Sequence, residues 1–95
     1  MLNLITRLSL SEAAADRYAA VLPAFVEATR AEPGCIAFHA NRSTAEPTVF
    51  WMVEEFTSQA ALDLHMQSPH LAALSAEFGA EFTEPPALHF VDRIA

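Results

Sequence analysis

The alternation of apolar and polar positions predicts four β-strands along the chain. Residues 2–10 place leucines on one face and mixed side chains on the other, which is typical of a strand. Residues 35–42 and 87–94 are also predicted as strands. The sequence VFWMVEEF at 49–56 is apolar almost without a break until Glu54, which favours a strand covered on both faces.

Two helical regions separate these strands. The first follows Ser11, a plausible N-cap, and carries an apolar stripe at helical spacing until the sequence AEPG ends it. Pro23 lies inside this helix and is expected to kink it. The second helix covers 59–67, and Pro69 breaks it before a further segment that runs to about Phe82.

The order strand, helix, strand, strand, helix, strand predicts an α+β fold with a ferredoxin-like, split βαβ antiparallel sheet. Residues 1–95 are expected to form a single domain. The helices cover one face of such a sheet and leave the other bare. Because 53% of the residues are apolar, more than a small domain is expected to bury, we predict a homodimer that packs through its sheet faces.

Composition excludes several classes of partner. The net charge is −7, with five arginines and no lysine, which disfavours nucleic acid and a membrane surface. The single Cys35 precludes an internal disulfide, and the N-terminus is a poor secretory signal. No apolar run approaches the length of a membrane span, so we expect a cytoplasmic protein with a small-molecule substrate.

Glu54 is the first candidate for chemistry. Period-two alternation places it on one strand face with Phe50, Met52 and Phe56. A carboxylate buried among apolar side chains has a raised pKa, which suits proton transfer. The alternative is a solvated carboxylate at the end of the strand.

The sequence LDLHMQSPHL places His65 and His70 on either side of the helix break. His65 shares a helical face with apolar neighbours and is expected to point at the sheet, where an imidazole can transfer protons near neutral pH. Each histidine has a structural alternative: His65 as a packed, hydrogen-bonded side chain, and His70 as a cap at the helix junction. Two histidines and Glu54 match the ligand set of non-haem iron sites, but their spacing is not that of a helical ligand pair, and we expect no metal.

Three stretches of the chain resemble the antibiotic biosynthesis monooxygenase domain family: AEPGCIAFHANRS, VFWMVEEF and ALDLHMQSPHLAAL. The resemblance covers essentially the whole chain, and it is more specific for the family than for an activity. It implies a dimeric α+β barrel with a ligand pocket between the sheet and the helices of each subunit. It also implies a cofactor-independent oxygenase acting on a quinol or an anthrone-type compound, in which the substrate's own carbanion reduces oxygen.

The resemblance implies that Glu54 and His65 accept and relay the proton, while His70 orients His65 or the substrate. Two alternatives stay open: an isomerase that uses the same base, and a non-catalytic dimeric module that binds a small ligand. An isomerase of phosphorylated compounds would require basic pocket residues, for which Arg7 and Arg42 are the nearby candidates. The side chains expected to line the pocket are Phe25, Phe38, Phe50, Met52 and Phe78.

Overall fold

The computed structural model describes all residues from Met1 to Ala95. Four strands, three helices and one short 3-10 turn follow one another along the chain. They are β1 (Leu2–Ser9), α1 (Glu12–Arg30), β2 (Cys35–Arg42), β3 (Val49–Phe56), α2 (Gln59–Met66), α3 (Pro69–Phe78), the 3-10 turn Gly79–Glu81 and β4 (Ala87–Val91).

The strands form one antiparallel sheet in the order β2-β3-β1-β4. This order confirms the α+β, ferredoxin-like fold. The structure differs from the prediction at two ends: α3 ends at Phe78 and β4 ends at Val91. α1 is continuous through Pro23, the position of the expected kink. The lost hydrogen bond of one proline is tolerated because the apolar stripe of α1 packs on the sheet on both sides of that residue.

The two faces of the sheet differ in burial. The inner face, covered by the helices, carries buried side chains such as Leu4 and Phe56, which belong to a single hydrophobic core. On the outer face, Ile5 pairs with Val53, and Val53 keeps 44% of its surface exposed. Within one chain, the inner face of β3 is therefore fully covered, while its outer face stays partly exposed to solvent.

Local sequence signals fix the helix break that precedes α3. The Ser68 side chain accepts a hydrogen bond from the Leu71 backbone N–H at 3.3 Å, and Pro69 occupies the first turn of α3. A serine cap followed by proline is a strong helix start, because the proline has no N–H to leave unsatisfied. The chain therefore turns between His65 and His70, as predicted.

Candidate active site

A largely apolar cavity of about 180 Å³ lies between the inner face of the sheet and the helices. All four strands and all three helices contribute to its lining, so side chains distant in sequence meet there. Its lining comprises Leu4, Thr6, Leu8, Tyr18, Phe25, Phe38, Met52, Glu54, His65, Met66, Leu71, Leu74, Ser75, Phe82, Pro86 and Leu88.

The cavity contains most, but not all, of the residues expected in the pocket. Phe25, Phe38 and Met52 line it, together with the two proton-transfer candidates. Phe50 and Phe78 do not line it. Both rings pack instead edge-on against the Tyr18 ring, each with a centroid separation of 5.0 Å. Their place is in the hydrophobic core beside the cavity.

Glu54 is a buried carboxyl group with one hydrogen-bond partner. Only 6% of the residue is exposed, and the Thr6 hydroxyl donates a 2.7 Å hydrogen bond to its Oε2 atom. Burial raises the pKa of Glu54 to about 7. The Thr6 hydrogen bond partly offsets this increase, and the charge of Glu32 adds to it. At neutral pH both protonation states are therefore populated, as a group that exchanges protons requires.

His65 is held by a carboxylate behind it. The residue is 3% exposed, and its Nδ1 atom lies 2.9 Å from Oε2 of Glu32. A carboxylate only accepts hydrogen bonds, so we assign the ring proton to Nδ1, which leaves Nε2 of the neutral ring as an acceptor. The rings of Phe25, Phe38 and Phe56 surround the imidazole at centroid distances of 5.3 to 6.1 Å.

His70 binds the same carboxylate from the other side. Its Nε2 atom lies 2.5 Å from Oε2 of Glu32, and its side chain is 23% exposed. His70 is not part of the cavity lining. The helix break thus brings both imidazoles to one carboxylate. Only His65 lines the cavity, and His70 is linked to His65 through Glu32.

Glu32 is the residue that sequence reasoning missed. It lies in the turn between α1 and β2, where Gly34 adopts a left-handed backbone with φ of 87°. A Cβ atom at Gly34 would lie 2.6 Å from the Ala61 Cβ, so only glycine lets this turn approach α2 so closely. The turn places the Glu32 carboxylate beside His65. The sequence EPGC contained the signal, since it joins an acidic residue to an obligatory turn.

The other candidate groups lie outside the cavity lining. Arg7 forms an ion pair with Glu84, and Arg42 forms one with Asp16. The cavity lining contains no arginine, so the geometry does not favour a phosphorylated substrate. Burial raises the pKa of the Cys35 thiol, with further increases from nearby carboxylates, which agrees with a structural rather than a nucleophilic cysteine.

None of the helices combines the length and the apolar character that a crossing of a lipid bilayer requires.

The sequence is similar to those of known proteins. Residues 1–77 match the model of the antibiotic biosynthesis monooxygenase family. A Mycobacterium tuberculosis protein named "Putative monooxygenase Rv0793" is 36% identical over 69 residues, which cover 73% of this chain and 67% of that protein. The chain therefore belongs to the antibiotic biosynthesis monooxygenase family, as the sequence motifs predicted.

A second curated relative is longer than this chain. The Synechocystis protein named "Uncharacterized protein sll1783" is 34% identical over 55 residues, which cover 58% of this chain. The match spans only 37% of that relative's length.

Solved structures agree with the family and the fold. A crystal structure described as an antibiotic biosynthesis monooxygenase superposes with a TM-score of 0.91 at 27% identity and covers all of both chains. The structure of Rv0793 from Mycobacterium tuberculosis superposes with a TM-score of 0.86 at 29% identity, covering 99% of this chain and 95% of that one.

Proposed function

We propose that the protein is a monooxygenase that needs no resident cofactor and oxidises a small phenolic substrate, a quinol, inside the apolar cavity. The observation that carries this proposal is that a buried carboxyl group, Glu54, and a buried imidazole, His65, line one largely apolar cavity. Two proton-transfer groups in a water-poor pocket are suited to generating a substrate anion. Membership of the monooxygenase family supports oxygen as the second reactant.

The size of the cavity favours a single-ring substrate. A dry cavity of about 150 Å³ accommodates benzene, and this cavity measures about 180 Å³. A substituted quinol with one ring fits such a volume, whereas an anthrone with three fused rings would need displacement of lining side chains. Among the two substrate types expected from the family resemblance, we therefore propose the quinol.

The reaction begins with removal of a phenolic proton. The Nε2 atom of His65 accepts it, Glu32 stabilises the imidazolium that forms, and the ionised carboxylate of Glu54 relays the proton onward. The phenolate then transfers electrons to oxygen, and a C–O bond forms at a ring carbon. Loss of water from the resulting peroxide gives a hydroxyquinone, so one oxygen atom enters the product and the other leaves as water.

His70 has a supporting role in this proposal. His70 contacts Glu32 and does not line the cavity. It therefore holds in place the carboxylate that orients His65. Tyr18 also lines the cavity, and burial raises its pKa, so its phenol stays protonated at neutral pH as a hydrogen-bond donor.

We also propose that the protein works as a homodimer. Ile5, Trp51 and Val53 are neighbours on the outer face of the sheet, and Val53 and Val91 keep 44% and 42% of their surfaces exposed. A second copy that packs its own outer face here would remove this apolar surface from water. The partner subunit would then stiffen the sheet that carries Glu54.

Oxygen uptake tests the proposed activity. Chelator-treated protein is mixed with single-ring quinols and, separately, with an anthrone, and oxygen is followed with an electrode. We expect uptake with quinols above the buffer rate and a loss of 10²-fold or more in Glu54→Gln and His65→Gln, because a general base typically contributes 10²–10⁴-fold.

The matched control is Glu27→Gln, which alters an exposed carboxylate of α1 outside the cavity and away from the outer sheet face. It should retain the wild-type rate. No uptake with any quinol, or equal uptake in wild type and in both cavity variants, would reject the proposed function.

A further inference from the structure

We propose that Glu32, His65 and His70 form a binding site for a divalent transition-metal ion, and that an ion bound there stops His65 from accepting a proton in the cavity. The first part concerns binding alone. The second part, inhibition, rests on the proposed function.

The three side chains already converge. One potential ligand atom from each, a carboxylate oxygen and two imidazole nitrogens, lies within 4.8 Å of the other two. They come from three separate elements: Glu32 from the turn after α1, His65 from α2 and His70 from the first turn of α3. Ligands held by different elements are already gathered by folding, so binding need not order a flexible segment.

The donor set suits a transition metal. Imidazole nitrogen and carboxylate oxygen are ligands of Zn²⁺ and neighbouring divalent ions, whereas Mg²⁺ and Ca²⁺ prefer oxygen alone. The side chains of Glu32 and His65 are 13% and 4% exposed, while that of His70 is 23% exposed. An ion can therefore enter from the His70 side, and water can complete its coordination there.

Small movements would convert the hydrogen-bonded cluster into a coordination sphere. Bonds of about 2.0–2.2 Å in a tetrahedral site place neighbouring donors roughly 3.3 Å apart. The Glu32 carboxylate now lies 2.9 Å from His65 Nδ1 and 2.5 Å from His70 Nε2. Each of these two contacts must open by less than about 1 Å, and the two imidazole nitrogens, which lie within 4.8 Å of each other, must approach by at most about 1.5 Å. The ion replaces the protons that now bridge these atoms.

Coordination changes what His65 presents to the cavity. Without metal, the N–H assigned to Nδ1 donates a hydrogen bond to Glu32, so Nε2 is the acceptor. When a metal occupies Nδ1, the neutral ring carries its proton on Nε2 and becomes a donor. A bound ion thereby removes the acceptor that the proposed reaction uses, without blocking the cavity itself.

Calorimetric titration of untagged, chelator-treated protein with Zn²⁺ tests the site. We expect saturable binding of one ion per chain, weakened at least tenfold in Glu32→Gln and in His70→Ala. The control variant His89→Ala removes an exposed histidine of β4 outside the cluster and should bind as wild type does. Circular dichroism shows whether each variant is folded, and the partly exposed His70 also permits a second variant, His70→Gln.

Co²⁺ gives an independent readout, because its visible absorption is much stronger in a four-coordinate site than in the hexahydrated ion. The band should develop in wild type and in His89→Ala, and be lost in the cluster variants. Absence of saturable binding of one ion, or wild-type affinity in Glu32→Gln and both His70 variants, would overturn the proposed site.

The inhibition is tested separately from the binding. Zn²⁺ should abolish oxygen uptake by wild type over the concentration range in which it binds. Binding without any quinol oxidation would leave the metal site standing and reject the proposed function. Quinol oxidation that persists at saturating Zn²⁺ would reject the inhibition, and quinol oxidation without Zn²⁺ binding would reject the metal site.

Discussion

Glu54→Gln is expected to stabilise the protein at neutral and alkaline pH. The glutamine keeps the shape of the side chain and an oxygen that can accept the Thr6 hydrogen bond, but it has no ionisable proton. It therefore removes the free-energy cost of burying a negative charge. This cost is set by the difference between the folded pKa of about 7 and the ordinary value of 4.5.

The magnitude follows from that difference. Each tenfold change in proton affinity corresponds to ~1.4 kcal/mol, so ionised Glu54 lowers the free energy of unfolding by about 3 kcal/mol above pH 7. The folded carboxyl binds its proton more tightly than the unfolded one. Its contribution is therefore fully present below pH 4.5 and is lost as the pH rises through about 7.

The assay is urea unfolding of wild type and Glu54→Gln between pH 4 and pH 8.5, at one protein concentration because an oligomer's stability depends on it. The two proteins should differ little near pH 4, and the variant should be more stable by about 3 kcal/mol at pH 8. Glu27→Gln, on the exposed face of α1, should follow wild type. If Glu54→Gln keeps the wild-type dependence on pH, or is less stable at pH 8, the account of Glu54 as a buried carboxyl is refuted.

Three further substitutions test separate parts of the structure. Thr6→Val removes the 2.7 Å hydrogen bond that favours the ionised carboxylate, so the pKa of Glu54 should rise above about 7 in a carbon-detected NMR titration. Gly34→Ala puts a Cβ atom on a left-handed backbone, 2.6 Å from the Ala61 Cβ, and should lower the free energy of unfolding by about 3 kcal/mol, measured in urea. Val53→Asp places a charge on the exposed apolar sheet face, and should convert a dimer to monomers in sedimentation velocity; an unchanged sedimentation coefficient would reject that interface.

The fold could be predicted because its signals are local. The bounds of β2 and β3 follow from short runs of apolar and β-branched residues, and the structure begins and ends these strands where the sequence indicated. The inward direction of Glu54 follows from the two-residue period of a strand. Ser11 marked the start of α1, and its side chain accepts the expected capping hydrogen bond from the Ala14 backbone N–H.

The candidate site could be predicted only in part, because its contacts are long-range. Glu32 and His65 are 33 residues apart, and no local pattern links a turn residue to a histidine on a later helix. The pocket lining has the same difficulty. Alternation assigns Phe50 to the correct face of β3 but does not say how far along the strand the cavity extends, and Phe50 lies beyond it, against Tyr18.

Removal of a proton from the substrate in the cavity, the central step of the proposed reaction, can be measured without oxygen. A single-ring quinol is mixed anaerobically with chelator-treated protein at pH 7.5, and an ultraviolet difference spectrum reports whether the bound molecule is a phenol or a phenolate. We expect a phenolate band in wild type that is absent from Glu54→Gln and His65→Gln. A bound quinol that stays fully protonated in wild type, or a phenolate of equal intensity in both variants, would contradict the claim.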